Sequence, residues 1–478
     1  MVYEIIGSRI VAPYIGTSTY IWTSLIGVIL AALSLGYWIG GRMADKRPDI
    51  KILATATFVA GGLVSLTVLI KDVILSTIHA AGGPLELKSV AAAALLFAPA
   101  SVLLGFVTPY AVRLRTLSLA DSGKTVGRLY ALSTVGSIAG TFAAGFFLIP
   151  FVGSTRTLYL IAGSLFAVSL LLAPLAFTRT NLTILTLFIF GITGSELMAY
   201  YMRTAHNLID LDTEYNRVQV YEAIHAETGR RYRAIATDPY FAQSAMYLDD
   251  GSPVFEYPKF FHLVQHFKPD HQNTLMIGGA GYTIPRDYLA SYPHARMDVV
   301  EIDSQMTQLA RKYFGLEDDP RLRIFHQDGR VFLNNAPSAI YDAVFIDAFG
   351  SLFSIPFQLT TIEAVQHVHR VLKDDGIVII NIGSALTGPA SMFLQTEFST
   401  YLTAFPQVVR FKVQAQRREG ELQNVIVIAS KMPREAAPSQ LGWLHNKIYT
   451  GAVTSRPPFT DDIAPVEHYN SVSHSYNR

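Results

Sequence analysis

"TLMIGGAGYTIPRDYL", Thr274–Leu289, ends a short apolar run on Gly278, Gly279 and Gly281 and continues in helix-compatible residues. A loop of this kind, between a strand and a helix, turns backbone N–H groups toward something polar. Apolar strand candidates recur around it with helical stretches between them: Thr274–Ile277, Met297–Ile302, Leu322–His326, Ala343–Ile346 and Ile377–Ile382. That alternation predicts a parallel, doubly wound sheet with helices on both faces and ligands at the carboxyl ends of its strands. Upstream, "NRVQVYEAI" (Asn216–Ile224) and "RYRAIATD" (Arg231–Asp238) alternate like hairpin strands, and Pro258–Phe267 is helix-compatible.

The acids sit where such a sheet binds. Glu301 ends the second strand, 20 positions after Gly281, a placement that suits a bidentate grip on two ribose hydroxyls. Asp328 ends the third strand in "HQDG" and Asp347 the fourth in "VFIDAFG". Each alone reads as a helix cap. Acids after three consecutive strands, in register with a glycine loop, read as a nucleoside site. NAD fits less well than an adenosyl donor, because the loop lacks the full GxGxxG: Thr283 stands at its last position and Pro285 where the helix should open.

The first half has a different composition. From Thr17 to Met202 long apolar stretches alternate with short polar ones, giving candidate spans Tyr20–Ile39, Ile52–Ile70, Val90–Val112, Leu129–Val152, Leu158–Phe177 and Leu182–Met202. Each approaches the ~20 apolar residues that cross a bilayer. "MVYEIIGSRIVAPYIG" is too short and polar to span and is not a cleavable signal peptide. It reads as an amphipathic or re-entrant segment, or as the remnant of a longer helix. Small residues, as in "GSIAGTFAAGF" (Gly136–Phe146), read as helix-packing positions. Glu196 is the clearest ionisable group within a span.

The formal net charge is +1 and cysteine is absent. A nucleic-acid partner is not indicated, disulfides and thiolate metal sites are excluded, and no metal is expected. Membrane lipids are the expected surroundings; a homo-oligomer is left open. Two signals for orientation conflict. Arg42, Lys46, Arg47 and Lys51 follow the first span, and Arg113, Arg115, Lys124 and Arg128 the third. The positive-inside rule makes both loops cytoplasmic, so six full crossings put the second half outside. A consumer of a cytosolic metabolite belongs inside, and that chemistry favours a cytoplasmic catalytic domain.

Residues from about Tyr215 to Ile382 resemble the spermidine synthase (polyamine aminopropyltransferase) family. The residues that carry the likeness are "EYNRVQVYE", "LDDG" (Leu248–Gly251), Tyr257, "IGGAG", "VEID", "DPRLRIFHQDGRVFL" and "YDAVFIDAFGS". The whole chain resembles the bacterial membrane-fused members, through "LGYWIGGRMADKRP", "GRLYALSTVGSIAGTFAAGFFLIP" and "FTDDIAPVE". The resemblance implies a transmembrane helical bundle of about six spans (1–204), then a Rossmann-like, class I methyltransferase-like domain (205–478). Within the latter, 205–257 would be a β-hairpin region, 258–435 the core and 436–478 a tail. It also implies roles: Glu301 on the ribose, Asp328 with Gly329 on the adenine edge, and Gly278, Gly279 and Gly281 on the sulfonium side. Asp347 falls on the family's proposed base, Tyr257 on a tyrosine of the reaction cavity, and Asn216 where a glutamine stands near the adenosine.

Two departures bear on substrate. The family's loop reads G-G-G-D-G, and Gly281 replaces its aspartate; Gly350 replaces the second acid of the family's D-S-S-D. Each lost acid forfeits charge-assisted hydrogen bonds of ~1.5–3 kcal/mol. The expectation is therefore intact S-adenosylmethionine as donor, cleaved on the propyl side to methylthioadenosine by transfer, cyclisation or elimination. The alternative is a true polyamine aminopropyltransferase using decarboxylated S-adenosylmethionine. A methyltransferase and a metabolite-sensing or transport protein stand behind these. "TDDIAPVE" is expected either to fold back near the site or to form a capped turn.

Overall fold

The computed structural model describes the chain apart from residues 117–121, 174–178, 240, 349–354, 434–441 and 477–478. It divides into two compact units, Met1–Val218 and Gln219–Arg478.

The first unit is helical: α1 (Val2–Ile15), α2 (Thr19–Lys46), α3 (Ile50–Ala80), α4 (Leu85–Leu96), α5 (Ala98–Arg115), α6 (Ser122–Ala143), α7 (Ser154–Leu172) and α8 (Arg179–His206). A π-helical stretch, Ala144–Val152, prolongs α6 around Pro150. Five helices are long and apolar enough to cross a membrane, six when α4 and α5, bent by 56° at their break, count as one span. The bend falls inside the expected span Val90–Val112, where Pro99 opens the second half.

Contact between α2 and α5 is backbone to backbone. A Cβ on Gly36 would lie 2.1 Å from the Val102 carbonyl oxygen, and one on Gly105 2.5 Å from that of Leu33. Within the expected "GSIAGTFAAGF", Gly140 is a packing position too, since a Cβ there would lie 2.9 Å from Val2, and Ala144 is buried. Gly136 and Gly145 have nothing within 4 Å of a Cβ position. The N-terminal segment is a helix packed into the core, with Ile6, Ile10 and Val11 buried among residues of α2, α3 and α4.

The bundle has two chemically distinct ends. At one, Tyr110 of α5 donates to the Arg47 carbonyl and accepts from the Asp49 N–H at 3.1 Å, while Arg113 pairs with Asp45 at 3.4 Å. Leu172, at the end of α7, packs there against the cluster of Ala44, Leu53, Phe106 and Tyr110. At the other end Tyr14 donates to Asp72 at 2.7 Å and its carbonyl meets His79 at 2.9 Å. Lys88 donates to the His79 carbonyl at 3.2 Å. Asp212, in β1 (Ile209–Asp212), accepts from the Ser154 N–H at 2.6 Å, and Arg156 chelates Glu196 through 2.7 and 2.8 Å bonds. Glu196 thus forms an ion pair with Arg156, which lies in the first turn of α7.

In the second unit, β2 (Arg217–Ile224), β3 (Arg231–Ala236) and β4 (Ala242–Tyr247) form an antiparallel meander. A 3-10 helix (Tyr257–Leu263) and α9 (Val264–Phe267) replace the single expected helix. The large sheet contains β5 (Asn273–Ile277), β6 (Arg296–Val300), β7 (Leu322–Phe325), β8 (Tyr341–Ile346), β9 (Leu372–Ser384), β10 (Gln407–Lys412) and β11 (Gln423–Ser430), ordered β10-β11-β9-β8-β5-β6-β7. β7 to β9 are parallel, as expected. β11 is antiparallel to β9, and β10 to β11, so the sheet is mixed rather than wholly parallel. "QNVIVIAS" is apolar throughout its middle because β11 is an interior strand covered on both faces.

Helix α10 (Thr283–Ser291) follows the glycine loop with Pro285 in its first turn. Pro285 thus stands where the helix opens, as expected, and is tolerated because a first-turn N–H has no intrahelical acceptor to lose. Helices α11 (Ser304–Tyr313), α12 (Gly329–Asn335), α13 (Ile362–Val371) and α14 (Met392–Leu402) complete the layers. The sheet orders β6, β5 and β8 side by side, and their carboxyl ends present Glu301, the glycine loop and Asp347 along one edge.

Candidate active site at the carboxyl edge of the sheet

The loop after β5 is shaped by its neighbours. Gly278 has φ +94°, and a Cβ there would lie 2.3 Å from the Asp347 carbonyl oxygen. Only glycine permits so close a crossing of two strand ends. The Gly278 N–H donates to the Val300 carbonyl at 2.9 Å, and the Asp347 N–H to that of Ile277 at 3.0 Å. Tyr282, left-handed at φ +54°, caps α10 and tucks a fully buried ring beneath Gly279, its hydroxyl 2.7 Å from Thr307.

Glu301 clamps this loop. Its Oε2 accepts from the N–H groups of Gly279 at 2.8 Å and Ala280 at 3.0 Å, and its Oε1 from Asp303 at 3.0 Å. The residue is 8% exposed, and burial raises its pKa above the usual carboxylate value against those backbone donors. Each carboxylate oxygen can accept more than one hydrogen bond, so capacity remains for a ligand hydroxyl.

Asp328 caps α12, its Oδ1 accepting from the Val331 N–H at 3.0 Å and its Oδ2 from Gln358 at 3.4 Å. Gly329 lets α12 start against the sheet, since a Cβ would meet Ile277 at 2.7 Å. Arg330, the next residue, pairs with Asp461 at 2.7 Å, and Thr361 donates to the same carboxylate at 2.6 Å. "FTDDIAPVE" therefore folds back onto α12 and α13 through Asp461.

Asp347 is the chemically distinctive member. Asn381 of β9 donates from Nδ2 to its Oδ1 at 3.0 Å, and the Tyr257 hydroxyl hydrogen-bonds to the same carboxyl group. Burial nevertheless holds the pKa at about 6, up from 3.8. The residue retains some accessible surface. Tyr257 is 8% exposed; burial, then the charge of Asp347, pushes its phenol far above the usual range, so it stays a neutral donor. Its hydroxyl also lies 3.3 Å from the Gln243 carbonyl. A carboxylate poised near neutrality in a desolvated pocket can accept a proton at physiological pH.

The missing carboxylate at Gly281 has a steric cause. A Cβ there would lie 2.9 Å from Ser244 Oγ, 3.0 Å from Ser244 Cβ and 3.3 Å from Phe314 Cδ1. Ser244 is itself fixed by a 2.7 Å bond to Thr283. The glycine accommodates β4 against the loop.

The structure thus brings together Gly278, Gly279, Gly281, Glu301, Gly329, Asp347 and Tyr257, with Asp328 at the head of α12. Asn216 lies in the first unit, where its carbonyl accepts from Thr213 at 2.7 and 2.9 Å, and is not grouped with them. Gly350 is outside the described residues. Sequence reasoning missed Asn381, Gln243 and Ser244. Asn381 had a signal: it is the one polar residue in "IVIINI", a run otherwise built for burial. Among the described residues no cluster of three or more His, Asp or Glu forms a metal site.

Residues 256–434 match the family described as Spermine/spermidine synthase domain. Over 176 residues the chain is 28% identical to the polyamine aminopropyltransferase of Vibrio vulnificus (strain CMCP6), covering 36% of this chain and 56% of that one. It is 27% identical over 386 residues to polyamine aminopropyltransferase 2 of Streptomyces coelicolor, covering 77% of this chain and 67% of the relative. That match is longer than the second unit and so includes part of the first. A probable spermidine synthase from Corynebacterium glutamicum ATCC 13032, among solved structures, is 21% identical with a TM-score of 0.42, over 49% of this chain and 85% of that one. The chain spans little more than half the length of the Vibrio relative.

Proposed function

We propose that this chain, whose second unit carries a spermidine synthase-like domain, is a membrane-bound enzyme that transfers an aminopropyl group from an adenosyl sulfonium donor to an amine. The attacking nitrogen forms a bond to the carbon beside sulfur. The carbon–sulfur bond breaks with its electron pair on sulfur, and neutral methylthioadenosine leaves. The proton shed by the new ammonium passes to Asp347. The observation that carries the reading is the Asp347 carboxyl, held by Asn381 and Tyr257 beside the glycine loop with a pKa of about 6. A base at that pKa is ionised at neutral pH and can still receive the proton. Glu301 and Asp328 would hold the ribose and adenine. The relatives named polyamine aminopropyltransferase favour transfer over the cleavage that the sequence departures suggest.

A second reading, intact S-adenosylmethionine as donor, is favoured by one observation. Position 281 is a glycine packed against Ser244 and Phe314, and it offers no anion to an ammonium-terminated tail. Purified full-length protein in detergent separates the two. Methylthioadenosine, followed by mass spectrometry, should appear with decarboxylated S-adenosylmethionine and putrescine together. Its formation from S-adenosylmethionine alone, without amine, would replace transfer by cleavage. Its absence under both conditions would remove sulfonium chemistry altogether.

A further inference from the structure

We propose that the second unit stands on the outer, non-cytoplasmic face of the membrane, a placement that rests on reading the first unit as membrane-spanning. A segment that fails to cross, or charges that scatter between the ends, would undo this placement. The bundle excludes both.

Its elements run end to end. α2 finishes at the Tyr110 end, where the Arg47 carbonyl accepts from that phenol. α3 starts there and finishes at the Tyr14 end, where Asp72 and His79 meet Tyr14. The bent pair α4 and α5 starts beside His79, through Lys88, and finishes beside Asp45, through Arg113. A bend between two elements that join opposite ends is a broken span, not a re-entrant loop. α6 and its π-helical extension lead from the α5 end to Gly153, next to Asp212. α7 returns, with Ser169 donating to the Ala54 carbonyl at 2.7 Å near the start of α3. α8 runs back again: a Cβ on Gly62 meets Ile184, Tyr159 reaches Gly191, and Arg156 holds Glu196. The chain therefore leaves the bundle at the Tyr14 end.

Charge is distributed unequally between these ends. The turns at the Tyr110 end carry Arg42, Lys46, Arg47 and Lys51, then Arg113, Arg115, Lys124 and Arg128, with Arg179 opening α8. The opposite end carries Arg9, Lys71, Lys88, Arg156, Arg203 and Arg217. Lys71 is tied to Asp72, Arg156 to Glu196 and Arg217 to Asp210, and Arg9 donates to the Glu214 carbonyl, so this end has fewer basic residues and most of them are partnered. Lysine and arginine in short loops hold those loops on the cytoplasmic side. The Tyr110 end is therefore cytoplasmic, and Gln219 onward follows from the other face. If the proposed chemistry holds, its donor must be delivered across the membrane, and methylthioadenosine is released outside.

The chain's lack of cysteine makes the test direct. Gly123 and Gly420 are exposed, and a Cβ at either meets nothing within 4 Å. Gly123→Cys reports the Tyr110 end and Gly420→Cys the second unit. Spheroplasts expressing each full-length variant are treated with a membrane-impermeant maleimide before and after lysis. Gly420→Cys should be labelled in intact spheroplasts, and Gly123→Cys only after lysis. The reverse pattern overturns the outward placement while leaving the membrane reading intact, and labelling of both before lysis also overturns it. Recovery of the protein in the soluble fraction overturns the membrane reading and the placement with it. Methylthioadenosine formation by the same preparations reports the proposed chemistry separately, because neither position belongs to the site.

Discussion

Asn381 donates from Nδ2 to Asp347 Oδ1 at 3.0 Å, joining β9 to the acid at the end of its neighbour β8. The bond favours the ionised carboxylate and opposes the burial that raises its pKa. Asn381→Leu should therefore move the acid limb of the kcat–pH profile upward from about 6. Activity at pH 6 falls more than activity at pH 8, because a higher pKa leaves more of the base protonated. A profile whose acid limb stays in place would separate Asn381 from the reaction.

Asp347→Asn should abolish turnover while methylthioadenosine still binds. It should also affect stability with a definite sign. The folded pKa, about 6, lies above the ordinary aspartate value of 3.8, so the native state binds the proton more tightly. That stabilisation is complete below the unfolded pKa and is lost as pH rises through the folded one. The uncharged asparagine never bears the cost of ionisation, so the variant should melt at or above the wild-type temperature at pH 8. Near wild-type turnover would leave Asp347 a structural residue.

Glu301→Gln tests the clamp. A glutamine presents an NH2 group to one of three backbone N–H donors now accepted by the carboxylate. Each charged hydrogen bond is worth about 1.5–3 kcal/mol, so methylthioadenosine affinity should fall roughly tenfold to a hundredfold. Titration calorimetry reads this directly. An unchanged dissociation constant would mean that Glu301 shapes the loop without supporting the ligand.

The order β7 to β9 and the acids at its edge were legible because buried parallel strands are short apolar runs with their polar residues pushed to the ends. The antiparallel β10 and β11 were not, since "QNVIVIAS" carries no mark of strand direction. Asp328 shows the limit at single residues: an acid that caps a helix and one that binds a nucleoside occupy the same sequence position. Gly281 shows another. Its neighbours Ser244 and Phe314 are distant in sequence, so packing that forbids a side chain there could not be told from selection for a ligand.

The last prediction follows from that packing. Gly281→Asp alone should be destabilising, because its Cβ would lie 2.9 Å from Ser244 Oγ and 3.0 Å from Ser244 Cβ. Adding Ser244→Gly removes both contacts at the expense of the bond to Thr283, leaving Phe314 at 3.3 Å. The double variant should melt above the single Gly281→Asp variant, which thermal unfolding measures without any substrate. Once seated, the aspartate stands by the glycine loop. Two charges ~4 Å apart at an effective dielectric near 20 interact by up to about 4 kcal/mol. A donor ending in an ammonium gains from that charge and one ending in a carboxylate loses. Half of the interaction already shifts the ratio of kcat/KM values by more than about tenfold toward the decarboxylated donor. If the double variant folds no better than the single one, Ser244 is not what keeps position 281 a glycine. If it folds but donor preference is unmoved, the loop does not face the tail of the donor.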